Sequence, residues 1–352
     1  MSVAGAAQNK DRDVAVSAGS HSYGGQAVIE GVVMRGRSSW GMAVRRPSGG
    51  IARVAYALEP PGSSHKLLRL PVVRGVVALY DSLSLGIRAL GISANIGLED
   101  PDAEDPAAEA ARDPAGGTQV AGGVTPAAAA GAGEDRPFGW KEMAGTMAVA
   151  LILAVGLFVV IPLVVVKTFE DTFANPFVFN VVEGIIRIVI FLLYILGISF
   201  IPDLRRIFMY HGAEHKVIHA YEVCGRPDVD EASRQSTLHP RCGTGFLLLV
   251  MVIAVFLFAI VGKPSLPLLV LSRIIGIPII VGISYEIGIK GLGKHPDWLV
   301  SRFLLWPGLQ LQRLTTREPT PDQLEVAAAA LEEAMAMDRT AAQTVAPMPA
   351  PA

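Results

Sequence analysis

Apolar and polar positions change their rhythm several times along this chain. Four long runs have almost no polar break, Met143–Val166, Phe177–Ile201, Thr244–Val261 and Leu266–Ile289. Each can cross a hydrocarbon layer about 30 Å thick at about 1.5 Å per residue, so each predicts a membrane-spanning helix. The second run carries Asn180, Glu183 and Arg187, and the fourth is interrupted by Arg273, Pro278 and Glu286. Ionisable residues inside spans are costly and normally face a bundle interior or a wet cavity. Nearer the start, YGGQAVIEGVVMRG and WGMAVRRPSGGIARVAYALEP alternate more tightly and are rich in β-branched residues. With the turn at Pro47-Ser48-Gly49-Gly50 they predict a small β element containing a hairpin.

The remaining segments show helical periodicity. Residues 69–98 repeat apolar positions every three and four, and Arg74, Asp81 and Arg88 favour a helix lying on the membrane surface or docked on the spans. A polar helix is expected over 203–224, and an amphipathic one over 297–312 with Trp298 and Trp306 at interfacial depth. Thr320-Pro321-Asp322-Gln323 has the form of a capping box and opens a helix to about Asp338. The predicted fold class is mainly α: a polytopic membrane protein with about four transmembrane helices, a small N-terminal β element and amphipathic cytoplasmic helices.

Composition supports this. Of 352 residues 51% are hydrophobic and only 18% charged, with a mean hydropathy of +0.43, too apolar for an ordinary soluble domain. The net charge of -2 argues against nucleic acid as a partner and leaves the lipid bilayer, with a membrane-protein or peptide partner. Two cysteines cannot build a disulfide framework. Residues 1–22 and 341–352 read as disordered tails, and 99–136, dominated by Ala, Gly, Pro and acid, as a disordered linker. Between them lie 23–98 with the β element and its helix, a membrane domain over 137–315, and the C-terminal helix within 316–340. Arg and Lys crowd the region before the first span, the 202–243 loop and the segment after the fourth span. The positive-inside rule therefore places both termini and the 203–224 helix in the cytoplasm.

The 203–224 helix holds the candidate chemistry. His211, His215, His219 and Glu222 fall within about 80° of arc at about 100° per residue, with Glu214 about 60° to the other side. His211-Gly212-Ala213-Glu214-His215 has the H-x-x-E-H form of inverted zinc proteases, in which two imidazoles a turn apart hold a metal and the carboxylate takes a proton from water. A further ligand must come from elsewhere: Glu286, about 70 residues on, or His219, Glu222, His239 or Cys242. The alternatives are plain. Surface histidines can be merely amphipathic, Glu286 can be a structural partner of Arg273 or Arg187, Cys242 can pack as a small residue, and Glu30 can be a solvated or paired acid. Cys242 as a nucleophile with His239 or His215 as base is a further arrangement. No P-loop, dinucleotide fingerprint or G-x-S-x-G elbow is present.

Five motifs, YGGQAVIEGVVMRG, RRIFMYHGAEHKVIHAYE, HPRCGTGF, GISYEI and PGLQLQRLTTREPTPDQLEVA, closely resemble in the same order the YqhQ family of bacterial membrane proteins, a domain-of-unknown-function family. The resemblance runs from about Tyr23 to about Leu331, the insert at 99–136 being the main departure. It implies a metal-dependent enzyme without naming a substrate, and it singles out His211, Glu214, His215, His239, Cys242 and Glu286. The expected function is metal-dependent hydrolysis, peptidase-like, at the cytoplasmic membrane face. His211 and His215 would ligate zinc, Glu214 would act as general base, and Glu286 or His239 and Cys242 would complete the ligands. The competing expectations are a non-enzymatic scaffold or regulator and, through Glu183, Arg187, Arg273 and Glu286, a transporter.

Overall fold

The computed structural model describes residues 22–58, 66–98, 140–169, 175–262, 266–292 and 298–345. The segments read as disordered at 1–22 and 99–136 lie outside the described residues, apart from Ser22.

The N-terminal run forms four strands, β1 (Gly24–Val28), β2 (Gly31–Arg35), β3 (Ser39–Arg45) and β4 (Ile51–Ala57). They pair antiparallel in sequence order. Val28 faces Gly31 across the first hairpin, so Ile29 and Glu30 form its two-residue turn, with Glu30 at a φ of 53°. The β3–β4 turn closes at Pro47-Ser48-Gly49-Gly50 as predicted, with Gly49 at a φ of 92°, a value that glycine adopts without a steric penalty.

Successive strand residues point to opposite faces, and both faces of this sheet are covered. On one side Val28, Val33, Trp40, Met42 and Val44 pack against Leu85 and Ala89 of α1 (Val73–Gly97). On the other, Val32, Met34 and Ala43 pack against α4 (Pro202–Cys224) and α9 (Pro321–Val345). The α9 face is rich in alanine, and Gly41 of β3 leaves no room for a side chain against Ala330 and Ala334. Asp338 of α9 then ties down the β2–β3 turn, accepting from the backbone N–H of Arg37 (2.8 Å) and Ser38 (3.0 Å) and from the hydroxyls of Ser38 and Ser39. One half of the predicted capping box forms, the Thr320 N–H donating to Gln323 Oε1 at 3.0 Å, while the Gln323 N–H donates to the Thr320 carbonyl instead of its hydroxyl. The helix it opens continues to Val345, past the expected end near Asp338, because alanine-rich sequence sustains it until just before Pro347.

The four apolar runs are helical as expected. The first is α2 (Trp140–Val155), which passes through a π turn at Gly156–Val160 into Ile161–Lys167. The second is α3 (Pro176–Ile198), capped by Asn175. After α4 and the short α5 (Val229–Arg234) come α6 (Gly243–Val261) and α7 (Leu266–Ser284), which continues through a π segment at Tyr285–Gly291. The amphipathic segment is α8 (Leu299–Thr315), with Trp298, Leu299, Phe303 and Trp306 exposed.

Among the described residues five helices are long and apolar enough to cross a membrane, one more than the four runs suggested. The fifth is α1. Its Asp81 pairs with Arg35 of β2 and its Arg74 with Glu286, so two of the charges that argued against a span are neutralised by partners that sequence separation concealed. These apolar helices indicate a lipid bilayer environment.

The ionisable residues of α3 and α7 form one cluster. Glu183 accepts from Arg187 and, at 3.1 Å, from Arg273, which also donates to Asn180 Oδ1. Arg187 Nε reaches the Phe158 carbonyl at 2.7 Å, inside the π turn of the α2 run, where the widened backbone frees a carbonyl oxygen. The Arg273 guanidinium lies 3.7 Å from the Phe258 ring centroid.

Candidate metal centre

Helix α4 is anchored at both ends. Pro202 and Asp203 occupy its first turn, and Gly225 ends it in the left-handed region at a φ of 73°. Its histidine edge meets the connection from α5 to α6, residues 235–242, and the junction of α8 with α9. Glu30 holds the opposite approach, its carboxylate bound by Arg206 and by the Tyr210 hydroxyl at 3.2 Å. This acid is a paired residue that fastens the first hairpin to α4.

The structure brings His211, His215 and Cys242 together: one ligand atom from each lies within 4.8 Å of the others. Cys242 arrives as the N-cap of α6. The His211 Nδ1 hydrogen bonds to the Thr315 carbonyl at 2.8 Å, and its Nε2 lies 3.2 Å from Cys242 Sγ. The His215 Nδ1 is held by the Thr237 carbonyl at 2.5 Å. A carbonyl only accepts, so both rings carry their proton on Nδ1 and turn an Nε2 lone pair toward Cys242. The His215 Nε2 is buried and makes no hydrogen bond of normal geometry, although the Cys242 thiol is near enough to pull the ring toward protonation. Burial dominates and pushes the His215 imidazole below its ordinary value, which favours the neutral form that ligates metals.

This arrangement fits a metal. Imidazoles whose Nδ1–H is fixed by a backbone carbonyl are the usual support for Nε2 ligation, and a buried Nε2 lone pair without a donor is otherwise a cost. Two nitrogens and one sulfur suit zinc, with a fourth position left for water or substrate.

Glu214 lies outside this group of three. Its side chain turns toward β1, where the Gly25 N–H hydrogen bonds to it and where a side chain at Gly25 would collide with its Cγ and Cδ. Burial pushes the Glu214 carboxyl above the usual carboxylate range, opposed by the nearby His211 and His239 and by the Gly25 N–H.

Glu286 is not brought to the histidines. Both its carboxylate oxygens are taken by Arg74, and the Val72 N–H approaches at 3.4 Å. The expected partners Arg273 and Arg187 are instead those of Glu183. The expectation of Glu286 as a ligand beside His211 and His215 is corrected by its position: the chain path leaves it in an ion pair with Arg74, in neither group of converging ligand atoms. His239 is likewise outside the first group. It belongs to a second one, with His219 and Glu222, whose ligand atoms also lie within 4.8 Å of one another. Gln312 of α8 clamps the His239 backbone, accepting from its N–H and donating to its carbonyl, both at 2.8 Å. The carbonyls of Thr237, Leu238 and Thr315 and the Gln312 clamp were invisible in the sequence, because any residue supplies a carbonyl and only the chain path decides which one arrives.

A family model described as "Protein of unknown function (DUF1385)" matches residues 70–337. The chain belongs to that family. It is also 28% identical over 326 residues to "Uncharacterized protein YqhQ" of Bacillus subtilis (strain 168), covering 93% of this chain and 96% of that one. No solved structure matches.

Proposed function

We propose that this protein is an integral membrane hydrolase that uses a divalent metal, zinc, held by His211, His215 and Cys242. The observation that carries the reading is the buried, unpartnered Nε2 of His215, on a ring whose other nitrogen is fixed by a carbonyl, beside His211 Nε2 and Cys242 Sγ. When bound, the metal supplies Lewis acidity, polarising a substrate carbonyl and activating water. The Thr237 and Thr315 carbonyls orient the two imidazoles and keep their Nε2 lone pairs directed inward. Cys242 gives up its thiol proton on ligating. Glu214, the carboxyl of the H-x-x-E-H motif, takes the general-base role in this reading, and to reach the metal it must turn from the Gly25 N–H that it accepts from in this structure. With α1 docked and four helices spanning, the positive-inside rule favours this site and both termini on the cytoplasmic side of the bacterial inner membrane, and the reading takes an amide bond of a membrane-proximal peptide as substrate.

Metal content of the purified protein is the test. Stoichiometric zinc is expected in the native chain and not in the His211→Ala plus His215→Ala variant, while Glu214→Gln should keep the metal and lose hydrolysis. A native protein without transition metal, or a Glu214→Gln variant with full activity, would overturn the reading.

A non-enzymatic scaffold is the second reading. It is favoured by the hydrogen bonds of His211, His215 and His219 to the carbonyls of Thr315, Thr237 and Leu238, through which histidines can knit α4 to its neighbours. Cellular function that survives Glu214→Gln would favour it.

A further inference from the structure

One helical turn beyond the first group, the side chains of His219, Glu222 and His239 converge. His219 Nε2 is held by the Leu238 carbonyl at 3.0 Å, which makes it the protonated nitrogen and leaves the Nδ1 lone pair 4.0 Å from one Glu222 oxygen. His239 Nε2 is buried, has no hydrogen-bond partner among the described residues and lies 3.8 Å from the other Glu222 oxygen. These separations are too long for direct hydrogen bonds, and the three ligand atoms, all within 4.8 Å of one another, need only small side-chain shifts to meet one ion. The His239 side chain is only 5% exposed, so bulk water does not compensate its unpartnered nitrogen.

Arg241 now occupies the electrostatic place of a cation. Its guanidinium pairs with Glu222 and donates to Ser22 at 2.8 Å. Its backbone N–H donates to His239 Nδ1 at 3.3 Å, which leaves the ring proton on Nε2. One residue therefore holds two of the three groups in a form that cannot ligate: the carboxylate is neutralised, and the imidazole presents a proton where a lone pair is needed. The Arg241 side chain is 37% exposed and can swing into solvent, which releases the carboxylate. The long hydrogen bond to Nδ1 is the weaker of the two restraints.

We propose that His219, Glu222 and His239 form a second divalent-cation site, gated by Arg241, whether or not the first group binds a metal. Two imidazoles and one carboxylate suit zinc, manganese or iron(II). The second site is the weaker of the two, because the incoming cation must displace the guanidinium and move the His239 proton to Nδ1. Its position beside the first group makes occupancy a means of changing the charge next to His215 and Glu214, and so of regulating the site.

Zinc titration of the full chain, purified in detergent and stripped of metal, tests this against a chromogenic chelator. Two classes of binding are expected, one tight and one weak. Glu222→Gln should abolish the weak class and spare the tight one, and Cys242→Ala should weaken the tight class and spare the weak one. Arg241→Gln should tighten the weak class by about tenfold or more, since it removes a positive charge from the same carboxylate. A gain of affinity cannot come from misfolding, so that variant keeps the test decisive. A native protein with no binding class that Glu222→Gln removes, or a class of unchanged affinity in Arg241→Gln, would each overturn the second site. Loss of the tight class alone would count against the first site only.

Discussion

The two places where this protein buries polar chemistry are built on opposite terms. In the apolar helices, Glu183 is 1% exposed and is enclosed by two guanidinium groups, and Glu286 is paired with Arg74. Around α4, Glu214 is 5% exposed and has no cationic side chain bonded to it, and the Nε2 atoms of His215 and His239 are left without partners. Burying an ion is costly unless it is paired, so the pairs in the spans are what the fold needs in order to close. Groups left unpaired under the sheet are not explained by closing the fold, and that difference points to α4 as the site.

The same conservative substitution at two buried glutamates should have different consequences. Glu183→Gln strands Arg187 and Arg273 without a counter-charge, and a loss of about 3–5 kcal/mol is expected, read as a fall in thermal midpoint in detergent. Glu214→Gln should leave that midpoint nearly unchanged, since among the described residues no cationic side chain is bonded to Glu214 and the change strands no counter-charge. Similar losses at both positions would break the contrast. A smaller effect is expected at the clamp on His239. Gln312→Ala leaves a buried N–H and carbonyl of His239 unpaired, for about 1–3 kcal/mol. The same variant should weaken metal binding by loosening the 235–242 connection, so unchanged metal affinity would show that this connection positions itself.

Smaller still is Glu286→Gln. Arg74 is partly exposed, so about 1 kcal/mol or less is expected, with metal content unchanged; loss of metal would restore Glu286 as a ligand. Asp338 sharpens the picture from outside both regions. Burial raises its pKa, but hydrogen bonds from the Arg37 and Ser38 amides and the Ser38 and Ser39 hydroxyls outweigh this and hold the carboxyl below its ordinary value. A depressed carboxyl contributes stability above its unfolded value of 3.8 and loses it as pH falls through the lower folded value. Acid unfolding in that window should therefore be less steep in Asp338→Asn than in the native chain.

The apolar runs, the β turns and the capping box were legible from residue order, because periodicity, turn chemistry and capping act over a few positions. The fifth apolar helix was legible as a helix docked on other elements, and only the structure showed which ones, the sheet at Leu85 and Ala89 and the α7 run at Gly75. Its charges are cancelled by Arg35 and Glu286, which lie far from them in sequence.

By itself, the sequence determined the histidine stripe on α4 and the H-x-x-E-H phase, since a helix of known pitch places those side chains on one edge whatever surrounds it. Only the tertiary structure decided which remote residue joins them. Chain path delivered Cys242 to His211 and His215 and His239 to His219 and Glu222, and kept Glu286 with Arg74. The physical reason is range: helical phase is set within a few residues, whereas the partner of a charge or a lone pair is set by whichever segment the packing brings within about 3 Å.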